Sequence, residues 1–328
     1  MDLGTANSIV IYNDQVVIDE PSVVAYNKKT NKIEAIGSAA KAMEGKNPDF
    51  IDTVRPLKNG VIADFEMAQH LIRELIGMTH VNRAVMPPAL RMVICIPSGI
   101  TNVEERAVRE SAQQAGAKEI RMIHEPMAAA IGIGIDVLQP EGHMIVDIGG
   151  GTAEIAVISL GGIVCSNSVR IAGDEFNENI VEYMRQQHGM VIGTRMAERV
   201  KIEVGSAMSE LDNPPENFAV TGRDQMTGIP TQKMISYQEI ATALDNSITR
   251  IEQAISDTLS ATPPELAADI FRTGIYLAGG GSMLRGLDKR ISIKTKLEVH
   301  VAEDPLRAVA RGTGIALKNF NKFSFLIR

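Results

Sequence analysis

Asp2-Leu3-Gly4-Thr5-Ala6-Asn7-Ser8 and Asp147-Ile148-Gly149-Gly150-Gly151-Thr152-Ala153-Glu154 present the same groups in the same order. Each has a carboxylate, then glycine, then a small hydroxyl residue, and each runs on into a strand-like stretch, Ile9–Tyr12 and Ile155–Ile158. Glycine accepts the positive φ of a tight turn and lets backbone N–H groups close on an anion. Thr and Ser hydroxyls add donors, and a carboxylate beside them can hold a divalent cation through water. One such segment is an ordinary β-turn. Two of them, nearly half a chain apart, suit hairpins that grip the phosphate chain of a nucleotide from both sides of a cleft.

A third glycine run, Gly279-Gly280-Gly281-Ser282, follows the apolar stretch Gly274–Ala278 and leads into a helical pattern. Open α/β sheets bind ligands at the carboxyl ends of their strands, and a helix N-terminus favours phosphate. Glu198 and Lys201 stand one helical turn apart. They make either an intrahelical ion pair, worth a few tenths of a kcal/mol, or two contacts to a nucleoside. Glu125 heads an Ala-rich helix with Pro126 in its first turn. An acid there offsets the helix dipole by up to about 1 kcal/mol whether or not it does chemistry.

The elements that must carry these groups alternate. Strands are expected at Ser8–Tyr12, Gln15–Asp19, Ser22–Asn27 and Lys32–Ile36, then an irregular polar patch over Lys41–Lys58. Phe65, Ala68, Leu71, Ile72, Leu75 and Ile76 make a 3.6-residue stripe, so Asp64–Thr79 reads as a helix. A strand over Arg91–Ile96 precedes a helix opened by the capping box Thr101/Glu104. The order repeats after Pro140-Glu141-Gly142: strands from Met144 to Ile171, helices over Glu178–Gln187 and Arg195–Met208, a polar excursion over Asp212–Lys233, and a helix over Ser236–Leu259. A strand at Leu297–Ala302 and a helix around Leu306–Lys318 close the pattern. This is α/β architecture with an internal duplication.

The 328 residues suffice for two domains, and 45% hydrophobic with 22% charged residues is a soluble, globular balance. A net charge of −7, no Trp and no Lys/Arg cluster argue against a nucleic-acid partner. Cys95 and Cys165 lie in apolar runs and read as buried thiols of a reducing compartment, and the six His lack zinc spacing. With no transmembrane run and no signal peptide, the expected location is cytoplasmic.

Asp2–Asn7, Ile96-Pro97-Ser98-Gly99, Glu125-Pro126-Met127-Ala128-Ala129-Ala130, Asp147–Thr152, Ala278–Ser282 and Asp304-Pro305, in that order, resemble the actin, sugar-kinase and heat-shock-chaperone ATPase superfamily. Within it the chain is most similar to the MreB family of bacterial actins, over essentially its whole length. The resemblance implies an actin-like fold of two RNase H-like domains with ATP between them. Residues 1–137 plus 305–328 would form domain I, with an inserted subdomain over about 22–64. Residues 138–304 would form domain II, with an insertion over about 188–237.

The resemblance also implies roles. Asp2 and Asp147 would hold Mg²⁺ through water, while Thr5, Ala6 and Asn7 with Gly149, Gly150, Gly151 and Thr152 wrap the β- and γ-phosphates. Glu125 would position the attacking water with Thr152 beside it. Glu198 and Lys201 would contact the nucleoside, and Gly279, Gly280, Gly281 and Ser282 would pass the ribose and α-phosphate. Such a family member hydrolyses ATP, polymerises into filaments at the inner face of the cell membrane and works with cell-wall elongation proteins to set rod shape. A chaperone-type ATPase module and a small-molecule kinase of the same superfamily are the alternatives. The chain starts at Met1-Asp2, where the family has most of a strand, so the first hairpin is expected to lack pairing on one side and to hold Asp2 loosely. For membrane contact the candidates are the loop with Met86 and Leu90, and the tail Phe320–Arg328, where aromatics stand beside basic residues.

Overall fold

The structure, a computed structural model, describes residues 1–79 and 90–327. The first hairpin starts with β1 (Asp2–Leu3), turns into β2 (Asn7–Tyr12) and returns along β3 (Gln15–Pro21). Asn13 and Asp14 make the second turn at φ 49° and 65°, the left-handed backbone that Asn and Asp tolerate and a two-residue hairpin needs. An excursion follows: β4 (Val24–Asn27) and β5 (Lys32–Ile36), helix α1 (Gly37–Met43), then β6 (Ile51–Val54), β7 (Leu57–Lys58) and β8 (Val61–Ile62). After it come α2 (Phe65–Met78), β9 (Leu90–Ile96), α3 (Asn102–Gln114), β10 (Ala117–His124) and α4 (Glu125–Gly132).

Met1 joins the pieces of the first sheet. Its backbone nitrogen donates to Val93 O at 2.7 Å and its carbonyl accepts from Cys95 N at 3.2 Å, the slanted pattern of a parallel pair. The resulting strand order is β3-β2-β1-β9-β10. β1 is therefore paired on both sides, and the expectation of a loosely held Asp2 is corrected: its register partner on β2 is Ile9, and Cys95 Sγ donates to its carboxylate at 2.9 Å.

The second half runs β11 (His143–Ile148), β12 (Ala153–Ser159), β13 (Gly162–Val169), α5 (Gly173–His188), β14 (Met190–Val191), α6 (Thr194–Val204), β15 (Phe218–Asp224), β16 (Pro230–Ile235) and α7 (Tyr237–Ala261). It ends with α8 (Pro264–Thr273), β17 (Ile275–Ala278), α9 (Leu287–Thr295), β18 (Val299–Val301) and α10 (Ala308–Lys318). Its sheet order, β13-β12-β11-β17-β18, repeats that of the first half, antiparallel in the hairpin and parallel beyond it. β11 and β12 are buried on both faces, which is why they read as continuous apolar runs. Met144, Val146 and Ile148 share one core with Phe176 and Ile180 of α5 and Leu244 and Ile248 of α7. Ile145, with Ala156 and Ile158, faces the other way toward Ala128–Ala130 of α4 and Val309 and Ala316 of α10.

Helices α4 and α10, each following the last strand of its sheet, cross at glycine. A methyl group added at Gly132 would overlap the carbonyl oxygen of Ala308, and one at Gly312 would overlap that of Ala128. Ala128-x-x-x-Gly132 meets Ala308-x-x-x-Gly312 backbone to backbone, so the two halves meet there in a tight, symmetric contact.

Local signals located most elements. The expected capping box Thr101/Glu104 forms on α3, and the structure adds a second, Ser236/Glu239, on α7. Three stretches differ from the expectation. The patch expected to be irregular over 41–58 holds the end of α1 and strands β6 and β7, the polar excursion holds the β15–β16 hairpin, and α8 follows α7. In β16 exposed Pro230, Gln232 and Met234 alternate with half-buried Thr231 and Lys233, so neither face is an apolar stripe, which hid the strand. The tail is also corrected as a membrane segment. Phe320, Phe323 and Leu326 are buried in the α4–α10 core, Arg121 lies 4.7 Å over the Phe320 ring, and Ile327 exchanges backbone hydrogen bonds with Met122 at 2.9 Å. No helix among the described residues is long and apolar enough to cross a membrane.

Candidate functional site

The hairpin turns of the two halves face each other across a cleft of about 790 Å³. Glycine makes the approach possible. A Cβ on Gly150 would lie 2.7 Å from Ala6 Cβ, and one on Gly151 2.8 Å from Thr5 Oγ1. The second turn is closed by Gly149 N donating to Thr152 O at 2.9 Å, and α5 docks on it through Gly173 N to Gly149 O at 3.2 Å and Asp174 N to Gly150 O at 2.7 Å. In the first turn, Thr5 Oγ1 accepts from Gly60 N at 3.0 Å, and Ser22 Oγ donates to Gly4 O at 2.6 Å.

Asp2, Thr5, Ala6, Asn7, Glu125, Asp147, Gly149–Thr152, Glu198, Lys201 and Gly279–Gly281 all line this cleft, so residues far apart in sequence converge as expected. Ser282 does not. It is buried, and its hydroxyl donates to Gly279 O at 2.7 Å, holding the turn that the neighbouring glycines present to the cleft. Gly279 sits at φ 76°, and a side chain there would collide with the Asp147 carboxylate. The Glu198–Lys201 ion pair is absent. Lys201 donates to Gly173 O at 2.8 Å, while Glu198 pairs with Lys41 at 3.0 Å. Met86 lies outside the described residues; Leu90, half-buried, packs on the core of the first half.

The floor of the cleft is acidic. Burial, with the Asp147, Glu154 and Asp2 carboxylates nearby, holds Glu125 well above the usual carboxylate range. Burial, then Asp2 and Glu154, pushes Asp147 up to about 7. Asp2 is raised as well, chiefly by burial. Carboxylates buried together repel one another, which favours their neutral forms or a bound cation. Asp147 Oδ1 is buried with no hydrogen-bond partner, an orphaned acceptor of the kind a hydrated cation satisfies. Magnesium keeps most of its waters and takes one or two carboxylates plus phosphate oxygens, and Asp2 and Asp147 fit that donor set.

Sequence reasoning missed four residues. Glu154, cross-strand partner of Asp147, accepts from Ser98 N at 3.1 Å and Ser168 Oγ at 2.5 Å, tying the loop after β9 to β13. Two carboxylates directly opposite in a buried hairpin are unfavourable unless something uses them, and that signal was available. Asn177, buried with an unpartnered Oδ1, lines the cleft too. Lys41 and Arg55 reach it from the excursion, and nothing local announces contacts across so much sequence.

The MreB/Mbl protein family profile matches residues 1–325. The cell shape-determining protein MreB of Escherichia coli (strain K12) is 46% identical over 323 residues, 97% of this chain and 92% of that protein. The cell shape-determining protein Mbl of Bacillus subtilis (strain 168) is 42% identical over 323 residues, 98% and 96% of the two. The crystal structure of MreB 5 of Spiroplasma citri bound to AMPPNP superposes with a TM-score of 0.92 at 39% identity, covering 98% of this chain and 96% of that one. The MamK double helical filament, at 23% identity and a TM-score of 0.80, shares the fold.

Proposed function

The chain belongs to the MreB/Mbl family and has its actin-like fold, and from that premise we propose that it is an ATP-hydrolysing cytoskeletal protein that polymerises into filaments and helps set rod cell shape. The observation that carries the reading is the pair of facing hairpin turns, whose glycines bring Gly150 against Ala6 and Gly151 against Thr5 above the unpartnered oxygen of Asp147. The relatives that match nearly the whole chain are cell shape-determining proteins, and the MreB 5 structures hold AMPPNP and ADP.

In this reading Thr5, Ala6, Asn7 and Gly149–Thr152 hold the β- and γ-phosphates with backbone N–H and hydroxyl donors. Gly279–Gly281 lie along the ribose and α-phosphate, and Glu198 and Lys201 flank the nucleoside. Asp2 and Asp147 hold Mg²⁺ through water, and the ion, when bound, neutralises charge developing on the phosphate oxygens. Glu125 orients a water in line with the γ-phosphate, with the Thr152 hydroxyl beside it. Phosphoryl transfer needs mostly alignment and charge compensation, so this set suffices. Residues 1–137 with 305–328, and 138–304, act as the two bodies that close on nucleotide. Self-association and attachment to the inner face of the cell membrane, with Met86 and Leu90 as lipid contacts, complete the proposal. Many weak lipid contacts along a polymer add up where one does not.

The test is light scattering and phosphate release from the purified chain with Mg-ATP, with liposome co-sedimentation of the polymer. Growth of scattering with phosphate release is expected. Phosphate transfer to an added hydroxyl compound without polymer would replace this reading by the kinase one.

A further inference from the structure

Two ion pairs span the mouth of the cleft. Lys41 near the end of α1 meets Glu198 on α6 at 3.0 and 3.1 Å. Arg55, just past β6, meets Asp174 in the first turn of α5 at 3.1 Å, and Glu44 steadies the same guanidinium from its own side at 3.5 Å. Both cations come from the excursion between β3 and α2, and both anions from helices of the second half. All four side chains are one-quarter to one-third exposed, the exposure of groups at a rim. Behind Asp174, its backbone N–H holds Gly150 O at 2.7 Å, and behind Glu198 on the same helix, Lys201 holds Gly173 O at 2.8 Å. The Arg55–Asp174 pair is thus one bond removed from the glycine turn that faces Ala6, and the Lys41–Glu198 pair is linked to it through α6, Lys201 and Gly173.

We propose that Lys41–Glu198 and Arg55–Asp174 form a clasp that closes the cleft over bound nucleotide and sets the rate at which product leaves. The inference rests on the nucleotide reading of this cleft. A ligand seated between the two turns must part α1 and the Arg55 segment from α5 and α6 to escape this way, and parting them separates both pairs into water. Entry through the same mouth parts the same pairs, so the clasp slows association as well as dissociation. Pairs this exposed are weakened by salt, because counterions screen charges near a surface.

The experiment is stopped-flow release of a fluorescent Mg-ADP analogue from the full chain, chased with excess unlabelled nucleotide. Lys41→Ala and Arg55→Ala should each speed release about fivefold, the scale of a partly exposed ion pair, and should speed association by a similar factor. Lys41→Arg should release at the wild-type rate. Arg55→Glu should release fast, and adding Asp174→Arg should slow it again, a rescue that mere loosening of the fold would not give. Raising salt should accelerate wild-type release and leave the Lys41→Ala/Arg55→Ala double variant nearly unmoved. Release from the double variant at the wild-type rate, with a wild-type salt dependence, overturns the clasp alone. Failure of the wild-type chain to bind the analogue at all overturns the nucleotide reading and the clasp with it.

Discussion

The two halves carry the same five-stranded sheet and the same hairpin, yet they are not equally equipped for chemistry. β10 ends at Glu125-Pro126 and leads into α4; β18 is followed by Asp304-Pro305 and leads into α10. Both acids line the cleft. Glu125 faces Asp147, Glu154 and Asp2 and is held well above the usual carboxylate range by burial and by those charges. Asp304 stands instead beside Arg307, whose guanidinium takes Asp19 at 3.2 Å. The duplication supplies symmetric scaffolding, and the placing of charge around it breaks the symmetry. One acid–proline corner faces the acidic floor of the cleft, and its counterpart belongs to the wall.

The largest effect should come from testing that asymmetry directly. Glu125→Gln should lower phosphate release by about 10² or more with nucleotide affinity retained, the scale of losing a positioned acid–base group. Asp304→Asn should leave release near wild type. Equal losses from the two substitutions would show that the corners are equivalent.

Where the halves are truly alike, substitutions should be alike too. Gly132→Ala and Gly312→Ala each force a methyl into the partner helix's backbone, so each should cost about 1–3 kcal/mol by overpacking, read from urea unfolding. They share one crossing, so the double variant should cost less than the sum. A clear difference between the single variants would mean that one helix yields and the other does not.

Asp147 offers a sharper, pH-dependent comparison. Burial and neighbouring acids raise it to about 7 in the folded chain, far above its unfolded value near 3.9. The folded state therefore binds this proton more tightly. The stability it contributes is full below the unfolded pKa and is lost as pH rises through about 7. Without nucleotide or metal the melting midpoint should fall between pH 5 and 7.5, and Asp147→Asn should flatten that slope. Mg²⁺-dependent nucleotide binding should run the other way, weakening below pH 7 as the cation competes with a proton. A melting midpoint that rises over this range in the wild type would contradict the assignment.

The sequence made the duplicated hairpin legible because glycine, threonine and acid must stand close together to build one turn. It made helices legible where a stripe or a capping box stands locally, as at Leu71–Ile76 and Thr101/Glu104. It did not make Lys41 legible. Gly37-Ser38-Ala39-Ala40-Lys41-Ala42-Met43 is short, its helix has no side-chain N-cap, and its partner Glu198 is reached only through the whole tertiary fold. The Glu198–Lys201 spacing misled for a related reason. Helical spacing brings two side chains within reach, but the Gly173 carbonyl and the Lys41 ammonium compete for them and win. Tail aromatics beside basic residues suggested a membrane, whereas Phe320 takes its cation, Arg121, from the chain's own surface.

The smallest expected effect distinguishes the two acids proposed to hold Mg²⁺. Cys95 and Ala278 occupy corresponding places, each on the strand beside an acidic strand. Cys95 Sγ donates to Asp2 Oδ1 at 2.9 Å, while Ala278, register partner of Asp147, has nothing to donate and Asp147 Oδ1 stays unpartnered. Burial, with the Asp2 and Glu125 charges, pushes the Cys95 thiol well above its ordinary pKa, so it remains a donor at neutral pH. Its hydrogen bond fixes the direction of one carboxylate, a contribution of about 0.5–1.5 kcal/mol. Cys95→Ala makes the first half resemble the second and should weaken the Mg²⁺ dependence of nucleotide binding about two- to tenfold, measured by titrating Mg²⁺ at fixed nucleotide. Cys95→Ser keeps a donor and should restore most of it. Lost packing would lower the melting midpoint in either variant, so stability does not decide the matter. An unchanged Mg²⁺ midpoint in Cys95→Ala would mean that β2 and β9 alone orient Asp2 through its backbone.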